Sequence, residues 1–160
     1  MIGPRRADFG GSRVGPVLGT PTNDAAAAGD VGELISSVVG VTNTPTTDAR
    51  GDLTSISLTA GDWDVTAVVQ FDINGATWTR AEIAITSTAG NSTTGFVSGS
   101  NQLEMSWASS STTPVLMGMV IPSFRVSLAS TTTYYLKFSA TFTLGQPRAG
   151  GGRLSARRVR

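Results

Sequence analysis

Three aspartates on and beside one predicted strand are the first candidates for chemistry. Asp62 and Asp64 lie two residues apart on the same strand face, and Asp72 lies at the end of that strand. Clustered carboxylate oxygens are ligands that Ca²⁺ prefers. The same pattern is typical of a solvated strand face with acidic turn residues, and we favour this interpretation. No metal and no cofactor is therefore predicted.

Acid–base catalysis has few candidates in this chain. Its 160 residues include no His and no Cys, which excludes a Ser-His-Asp or Cys-His hydrolase, a thiolate zinc site and a His-ligated metal enzyme. A glycosidase needs two carboxyl groups across a cleft. Nothing in the spacing sets Glu33, Glu82 or Glu104 opposite an aspartate. The sequence predicts a protein that is not an enzyme.

Three tryptophans offer flat rings that could stack on sugars. Trp63 shares a face with predicted core residues, which favours a structural role. Trp78 falls on an outward-facing position of its predicted strand, and Trp107 lies in a long Ser-rich region. For these two we favour contact with a sister subunit, because aromatic side chains often anchor interfaces. A bacterial surface glycan is the alternative partner.

Basic residues concentrate at both ends of the sequence. The net charge is +1, yet the last thirteen residues carry five arginines and no acidic residue. In a predicted final strand from Gly152, Arg153 and Arg157 face one side while Arg158 faces the other. A basic stretch attracts phosphates, but no aromatic residue lies between these arginines. A salt-bridged strand end at a protein interface is favoured, and no nucleic-acid partner is predicted.

Residues 1–28 are predicted to form an extended arm. Pro and Gly recur too often in this segment for a regular helix or strand. A structureless leader and an attachment arm both fit this composition. The residues that could attach such an arm to a partner are Arg5, Arg6, Phe9, Arg13, Val14 and Leu18.

Residues 29–160 are predicted to contain about eight strands and one core. In the clearest strand, apolar residues alternate with polar ones from Trp63 to Phe71. Asn74-Gly75 then predicts a hairpin turn into a return strand in which Arg80 and Glu82 face solvent. Two later strands have inward positions at Val120, Pro122, Phe124, Val126 and Leu128, and at Tyr134, Leu136, Phe138, Ala140, Phe142 and Leu144.

These strands predict an all-β, antiparallel β-sandwich, and we expect a jelly roll. Pro122 cannot donate to a strand ladder, so its strand should lie at a sheet edge or contain a bulge. The region from Ser87 to Thr113 is expected to be loop with one or two short strands. No apolar run approaches the roughly 18 residues that a membrane span needs, so no membrane partner is predicted.

Four segments in order carry a resemblance to a known group of proteins. Residues 31–37 lead to residues 53–65, residues 125–136 follow, and residues 152–158 close the series. In this order and spacing they resemble a β-domain that recurs in virion proteins of tailed bacteriophages. The resemblance covers most of the chain from Val31 onward. It implies a trimeric jelly-roll module, similar in architecture to tumour-necrosis-factor or complement-type folds, on a capsid or tail, with no catalytic residues.

The resemblance and the missing catalytic chemistry together predict a structural virion protein. We expect a homotrimer on the outer surface of a phage particle, as a capsid decoration, cement or head-fibre protein. Its arm would bind the major capsid protein or another virion protein. The alternative is the receptor-binding tip of a tail or head fibre, which would recognise a bacterial surface glycan through the region from Ser87 to Thr113.

Overall fold

A computed structural model describes residues 26–44, 46–72, 75–111 and 116–159, without the side chains of residues 43, 107–111 and 150. These residues form nine strands: β1 (Leu34–Val39), β2 (Thr42–Asn43), β3 (Gly51–Leu58), β4 (Gly61–Asp72), β5 (Thr77–Thr86), β6 (Gln102–Ser111), β7 (Leu116–Leu128), β8 (Thr132–Leu144) and β9 (Arg148–Arg158). Within the described residues there is no helix long and apolar enough to cross a membrane. The predicted all-β class is confirmed, and the two-residue β2 accounts for the ninth strand.

The antiparallel strand pairs nest inside one another. β1 pairs with β9, β3 with β8, β4 with β7, and β5 with β6. Pairs β4–β9 and β5–β8 join them into two sheets. Sheet A has the order β1-β9-β4-β7, with β2 beside β9, and sheet B has the order β3-β8-β5-β6. A long hairpin folded over on itself in this way is a jelly roll, as predicted.

The core lies between the inner faces of the two sheets. β4 alternates along its whole length, because every second side chain of a strand points to the same face. Its buried side chains are Trp63, Val65, Ala67, Val69 and Phe71. They face buried residues of β5 and β8, among them Ala81, Ile83, Ile85, Leu136 and Phe138. The predicted inward positions of β4 are confirmed, as are those of β8 at Leu136, Phe138 and Ala140.

The Asn74-Gly75 turn does not join two paired strands, so the hairpin prediction is wrong. β4 ends in sheet A and β5 begins in sheet B. Both sides of β4 are taken by β7 and β9, which leaves no edge for β5. Gly75 has a φ of 73°, in the left-handed region that glycine adopts without strain. Asn74 lies outside the described residues.

Trp78 is buried, with 2% of its surface exposed, and the predicted outward position is wrong. Its ring lies 5.8 Å from that of Phe71 inside the sandwich. The cause is a bulge, because the register of β5 shifts between Trp78 and Arg80 against both β6 and β8. One extra residue reverses the side-chain alternation on one side of it.

A second bulge corrects part of the prediction for β7. Val65 pairs with Phe124 and Ala67 pairs with Ile121, so Pro122 and Ser123 together oppose one residue of β4. Phe124, Val126 and Leu128 pack against the core as predicted, whereas Val120 and Pro122 are exposed and their neighbours Met119 and Ile121 are buried. β7 lies at the edge of sheet A and contains the bulge, so both expectations for Pro122 hold.

Three strand ends also differ from the predictions. β6 is a ten-residue strand, so the loop before it ends at residue 101. β9 begins at Arg148, four residues before the predicted start at Gly152. Leu144, predicted to point inward, is exposed at the end of β8, where it pairs with the first residue of β5.

Candidate interaction surface

A row of aliphatic side chains crosses the outer face of sheet A. The register pairs Val38 with Arg153, Arg153 with Val68, and Val68 with Val120. These residues lie side by side on four neighbouring strands. Val38 is 74% exposed and Val120 is 56% exposed. Exposed aliphatic side chains grouped in this way, here around the exposed Arg153, are typical of interaction sites on soluble proteins.

A second row lies four residues before Val38 on β1 and contains three charged side chains and one aliphatic side chain. Leu34 pairs with Arg157, Arg157 with Asp64, and Asp64 with Arg125. Leu34 is exposed, and Nε of Arg125 lies 3.5 Å from Oδ1 of Asp64. The outer face of sheet A therefore presents aliphatic side chains together with three arginines, and arginine is a residue type that is enriched at protein interfaces.

A groove of about 440 Å³ follows the aliphatic row. Its walls include Val38, Val68 and Arg153, and its floor includes Gly151 and Gly152 of β9. Gly151 has no side chain to cover the backbone of β9 on this face, whereas a Cβ at Gly152 would point inward and lie 2.6 Å from the Leu53 side chain in the core. The sequence offered a signal for this surface, because Val68 is an apolar residue at an outward position of β4.

The outer face of sheet B differs from that of sheet A, because its central charged side chains are buried and form ion pairs within the subunit. Glu82 is 1% exposed although it lies on the outward-facing side of β5, so the predicted orientation is right and the predicted exposure is wrong. Arg50 binds its two carboxylate oxygens at 2.6 and 2.8 Å. Arg80 also pairs with Glu82, and with Glu104 at 2.9 Å. This cluster joins the residue before β3 to β5 and β6 inside the subunit.

Lys137 is buried on the same face of sheet B. Its Nζ contacts Oδ1 of Asp52 at 2.5 Å and donates to the carbonyl of Gly90 at 2.6 Å. The Gly90 N–H donates to the other Asp52 oxygen at 2.8 Å. Lys137 thus ties residues 87–101 to β3, which is a structural role.

The arginines of the final strand divide into two groups. Arg153 and Arg157 point outward from sheet A and are exposed, as their position on the strand predicts. Arg158 is buried and pairs with Glu33 at 2.9 Å, while Arg148 pairs with Asp72 at 2.8 Å. Arg158 is therefore a contact within the subunit, and Arg153 and Arg157 remain candidates for contact with a partner.

The three aspartates considered for Ca²⁺ each have a partner of their own. Asp62 accepts a hydrogen bond from the Ser127 hydroxyl at 2.5 Å, and Asp64 and Asp72 pair with arginines. Over residues 26–44, 46–72, 75–111 and 116–159, no three acidic side chains gather as metal ligands.

The remaining predicted site residues fall outside what the structure describes. The arm residues Arg5, Arg6, Phe9, Arg13, Val14 and Leu18 all precede the first described residue. Trp107 belongs to β6, but its side chain is among those not described. The roles predicted for these residues stay predictions.

No family model matches the sequence, and no curated protein matches it. Among solved structures, the chain is similar to infectious bursal disease virus strain Gx, with a TM-score of 0.46 and 10% identity over 89% of this chain. It is also similar to the VP2 subviral particle of that virus, with a TM-score of 0.40 and 13% identity over 89% of this chain. The chain spans 38% of the length of each of these chains. The class of the protein, a jelly-roll β-sandwich, follows from its own strand order.

Proposed function

We propose that this chain is a structural subunit of a virion that assembles with copies of itself. In this proposal the jelly rolls form a homotrimer on the outer surface of a phage particle. Residues 1–28 attach the trimer to the major capsid protein or another virion protein. The resemblance to tailed-phage virion domains supports the setting, and the exposed face of sheet A supports the self-association.

The aliphatic row on sheet A carries the proposal. Burying a Val or Leu side chain contributes about 1.5–3 kcal/mol, whereas association costs about 4–15 kcal/mol of lost freedom. Val38, Val68 and Val120 on one strip, with Leu34 on the next row, are each only 36–74% exposed, so covering one of them falls well short of that cost. A partner must therefore lie across several strands at once.

The attachment arm would act through repetition. A trimer carries three copies of residues 1–28, and linked contacts bind more tightly than single ones because the later contacts form at high effective concentration. Weak binding of each arm through Phe9, Val14 and Leu18 is then sufficient to attach the trimer to the virion surface.

The self-association is tested by the mass of the particle in solution. We expect the full chain to elute as a trimer in size-exclusion chromatography with light scattering, and Val68→Glu to elute as a monomer with unchanged circular dichroism. Leu144→Glu is the control, because Leu144 is also an exposed aliphatic residue (68% against 36% for Val68) but belongs to sheet B. A monomeric parent chain, or a trimer that tolerates Val68→Glu, would refute this use of sheet A.

The virion role is tested on the particle. Removing residues 1–24 is expected to leave a folded trimer that no longer joins the virion, and retained incorporation would refute the role of the arm. Labelling the intact virion separates the two functions predicted from the sequence. Staining over the whole capsid supports decoration, while staining of the tail alone supports the receptor-binding tip.

A further inference from the structure

Small hydroxyl side chains separate the aliphatic row from the second row on the outer face of sheet A. Ser36 pairs with Ser155, and Ser155 pairs with Thr66. These residues lie two positions from each of the other rows along their strands, so their side chains point to the same face. Because the side chains are short, a trough of about 260 Å³ remains between the rows, and its lining includes Ser155, Thr66, Leu34 and Arg157.

Ser155 and Arg157, on the same face of β9, have no partner within the described part of the subunit. Ser155 is only 7% exposed, and its hydroxyl makes no hydrogen bond there. The hydroxyl of Thr66, beside it, donates to the carbonyl of Ile121 at 2.8 Å. Arg157 is exposed and makes no ion pair there. Since buried hydroxyls normally have a partner and guanidinium groups bind carboxylates strongly, both groups favour a ligand with a carboxylate.

The second row has an excess of positive charge. It contains Arg125 and Arg157 but only one acidic residue, Asp64. Asp64 lies between the two arginines in the register, and its carboxylate lies 3.5 Å from Nε of Arg125. The charge of Asp64 is therefore balanced by Arg125, and Arg157 is left to attract an acidic group from outside the subunit.

The turn before β1 carries such an acidic group. Asp30 is exposed, and no basic side chain of residues 26–44, 46–72, 75–111 or 116–159 pairs with it. Each of the other acidic side chains that the structure describes contacts an arginine, a lysine or a hydroxyl group. Val31, the next residue, is 63% exposed. The turn thus presents a carboxylate beside an aliphatic side chain, and the trough presents the guanidinium of Arg157 beside Leu34.

We propose that the turn of one subunit docks in the trough of the next subunit. The carboxylate of Asp30 binds Arg157 and the Ser155 hydroxyl, and Val31 covers Leu34. This inference rests on the self-association proposed above and names the side chains that make it specific, because complementary charges fix the register of an interface.

The turn and the trough lie at the same end of sheet A. The N–H of Gly32 donates to the carbonyl of Arg158, which follows Arg157, at 2.8 Å. The turn itself is held by two backbone hydrogen bonds of 3.0 Å, from Asp30 to the Ala27 carbonyl and from Glu33 to the Asp30 carbonyl. Two different patches meet in this contact, so a rotation that closes the ring repeats it at every interface of the trimer.

Exchanging the two charges tests the contact. The measurement is light scattering of the full chain over a range of concentrations, with circular dichroism to verify the fold. Arg157→Asp and Asp30→Arg should each raise the concentration of half-assembly by about tenfold or more, because each brings like charges together. The double variant restores opposite charges in exchanged positions and should return this concentration to within about threefold of the parent value. Failure of the double variant to recover assembly would overturn the proposal.

Arg153→Asp is the matched control for the exchange. Arg153 is another exposed arginine of β9 on the same face of sheet A, and it makes no ion pair with the described residues. Combined with Asp30→Arg, Arg153→Asp should not restore assembly. Equal recovery with Arg153→Asp and with Arg157→Asp would show that the overall charge of sheet A controls assembly, which would overturn the specific contact.

The parent chain and Val68→Glu separate this contact from the self-association itself. A trimeric parent that dissociates with Val68→Glu but tolerates Arg157→Asp would retain the use of sheet A and overturn the pairing of Asp30 with Arg157. A monomeric parent chain would overturn the self-association and, with it, this contact.

Discussion

Arg158 and Glu33 form a buried ion pair that joins the end of β9 to the residue before β1. Nε of Arg158 lies 2.9 Å from Oε2 of Glu33, and both side chains are nearly inaccessible to solvent. The guanidinium also lies 4.3 Å from the centre of the Trp63 ring and donates to the carbonyl of Ala60 at 2.8 Å. One arginine thereby closes sheet A and covers one end of the core.

Replacing this arginine by an apolar residue should destabilise the fold. We expect Arg158→Met to lower the free energy of unfolding by about 3 kcal/mol, because Glu33 would keep its charge in a buried position without a counterion. The measurement is urea unfolding followed by tryptophan fluorescence. Arg157→Met is the matched control. Arg157 is the neighbour of Arg158 but is exposed, so its replacement should change the free energy of unfolding by less than about 0.5 kcal/mol. Equal losses in both variants would contradict a special role for the pair.

The same carboxylate predicts a pH dependence of stability. The Gly29 N–H, which donates to Oε2 of Glu33 at 2.8 Å, and Arg158 lower the pKa of Glu33 below its ordinary value of 4.5, against the opposing effect of burial. A lowered pKa means that the ionised form stabilises the fold fully above pH 4.5 and that this contribution is lost as the pH falls through the folded-state pKa.

Urea unfolding of the parent chain and of Glu33→Gln checks this dependence. Their difference in unfolding free energy should be largest near pH 7 and should shrink below pH 4.5. A difference that stays constant from pH 7 to pH 3 would show that the charge of Glu33 contributes nothing.

The Glu82 cluster in sheet B should be equally sensitive to the loss of its central charge. Glu82→Gln leaves Arg50 and Arg80 without the buried carboxylate that they share, and we expect a loss of about 3 kcal/mol. Asp48→Asn removes an exposed partner of Arg80 and should cost less than about 1 kcal/mol. Thermal unfolding at low and high salt distinguishes them, because screening weakens the exposed pair and not the buried one.

Gly145 should not tolerate a side chain. Its φ is 67°, and a Cβ at this position would lie 2.8 Å from Cα of Ala76, a backbone atom that cannot move aside. We expect Gly145→Ala to lower the free energy of unfolding by about 2–3 kcal/mol. Gly99 has a φ of 77° with open space around it, so Gly99→Ala should cost only about 1 kcal/mol. Similar losses of unfolding free energy in both variants would show that the close approach to Ala76 adds no destabilisation.

Much of the fold could be predicted from local patterns. The alternation from Trp63 to Phe71 identifies both a strand and its buried face, because side chains of a strand point to opposite sides whatever its partners are. The missing donor of Pro122 likewise predicts an edge or a bulge, and β7 has both. These features depend on residues that are neighbours in the sequence.

The positions that were predicted wrongly depend on strands that are distant in the sequence. The orientation of Trp78 is set by a shift of register against β6 and β8. The Asn74-Gly75 turn connects two sheets because β7 and β9 already occupy both sides of β4. Glu82 is buried because Arg50, 32 residues earlier, covers it.

The interaction surface divides in the same way. The absence of His and Cys excludes chemistry that depends on them, and the alternating pattern predicts a β-sandwich. Neither inference requires knowing which distant residues pack together. That Val38, Val68 and Val120 form one row, and that Arg153 is exposed while Arg158 is buried, depends on the register between strands. Register is a property of paired strands, so it exists only once the chain has folded.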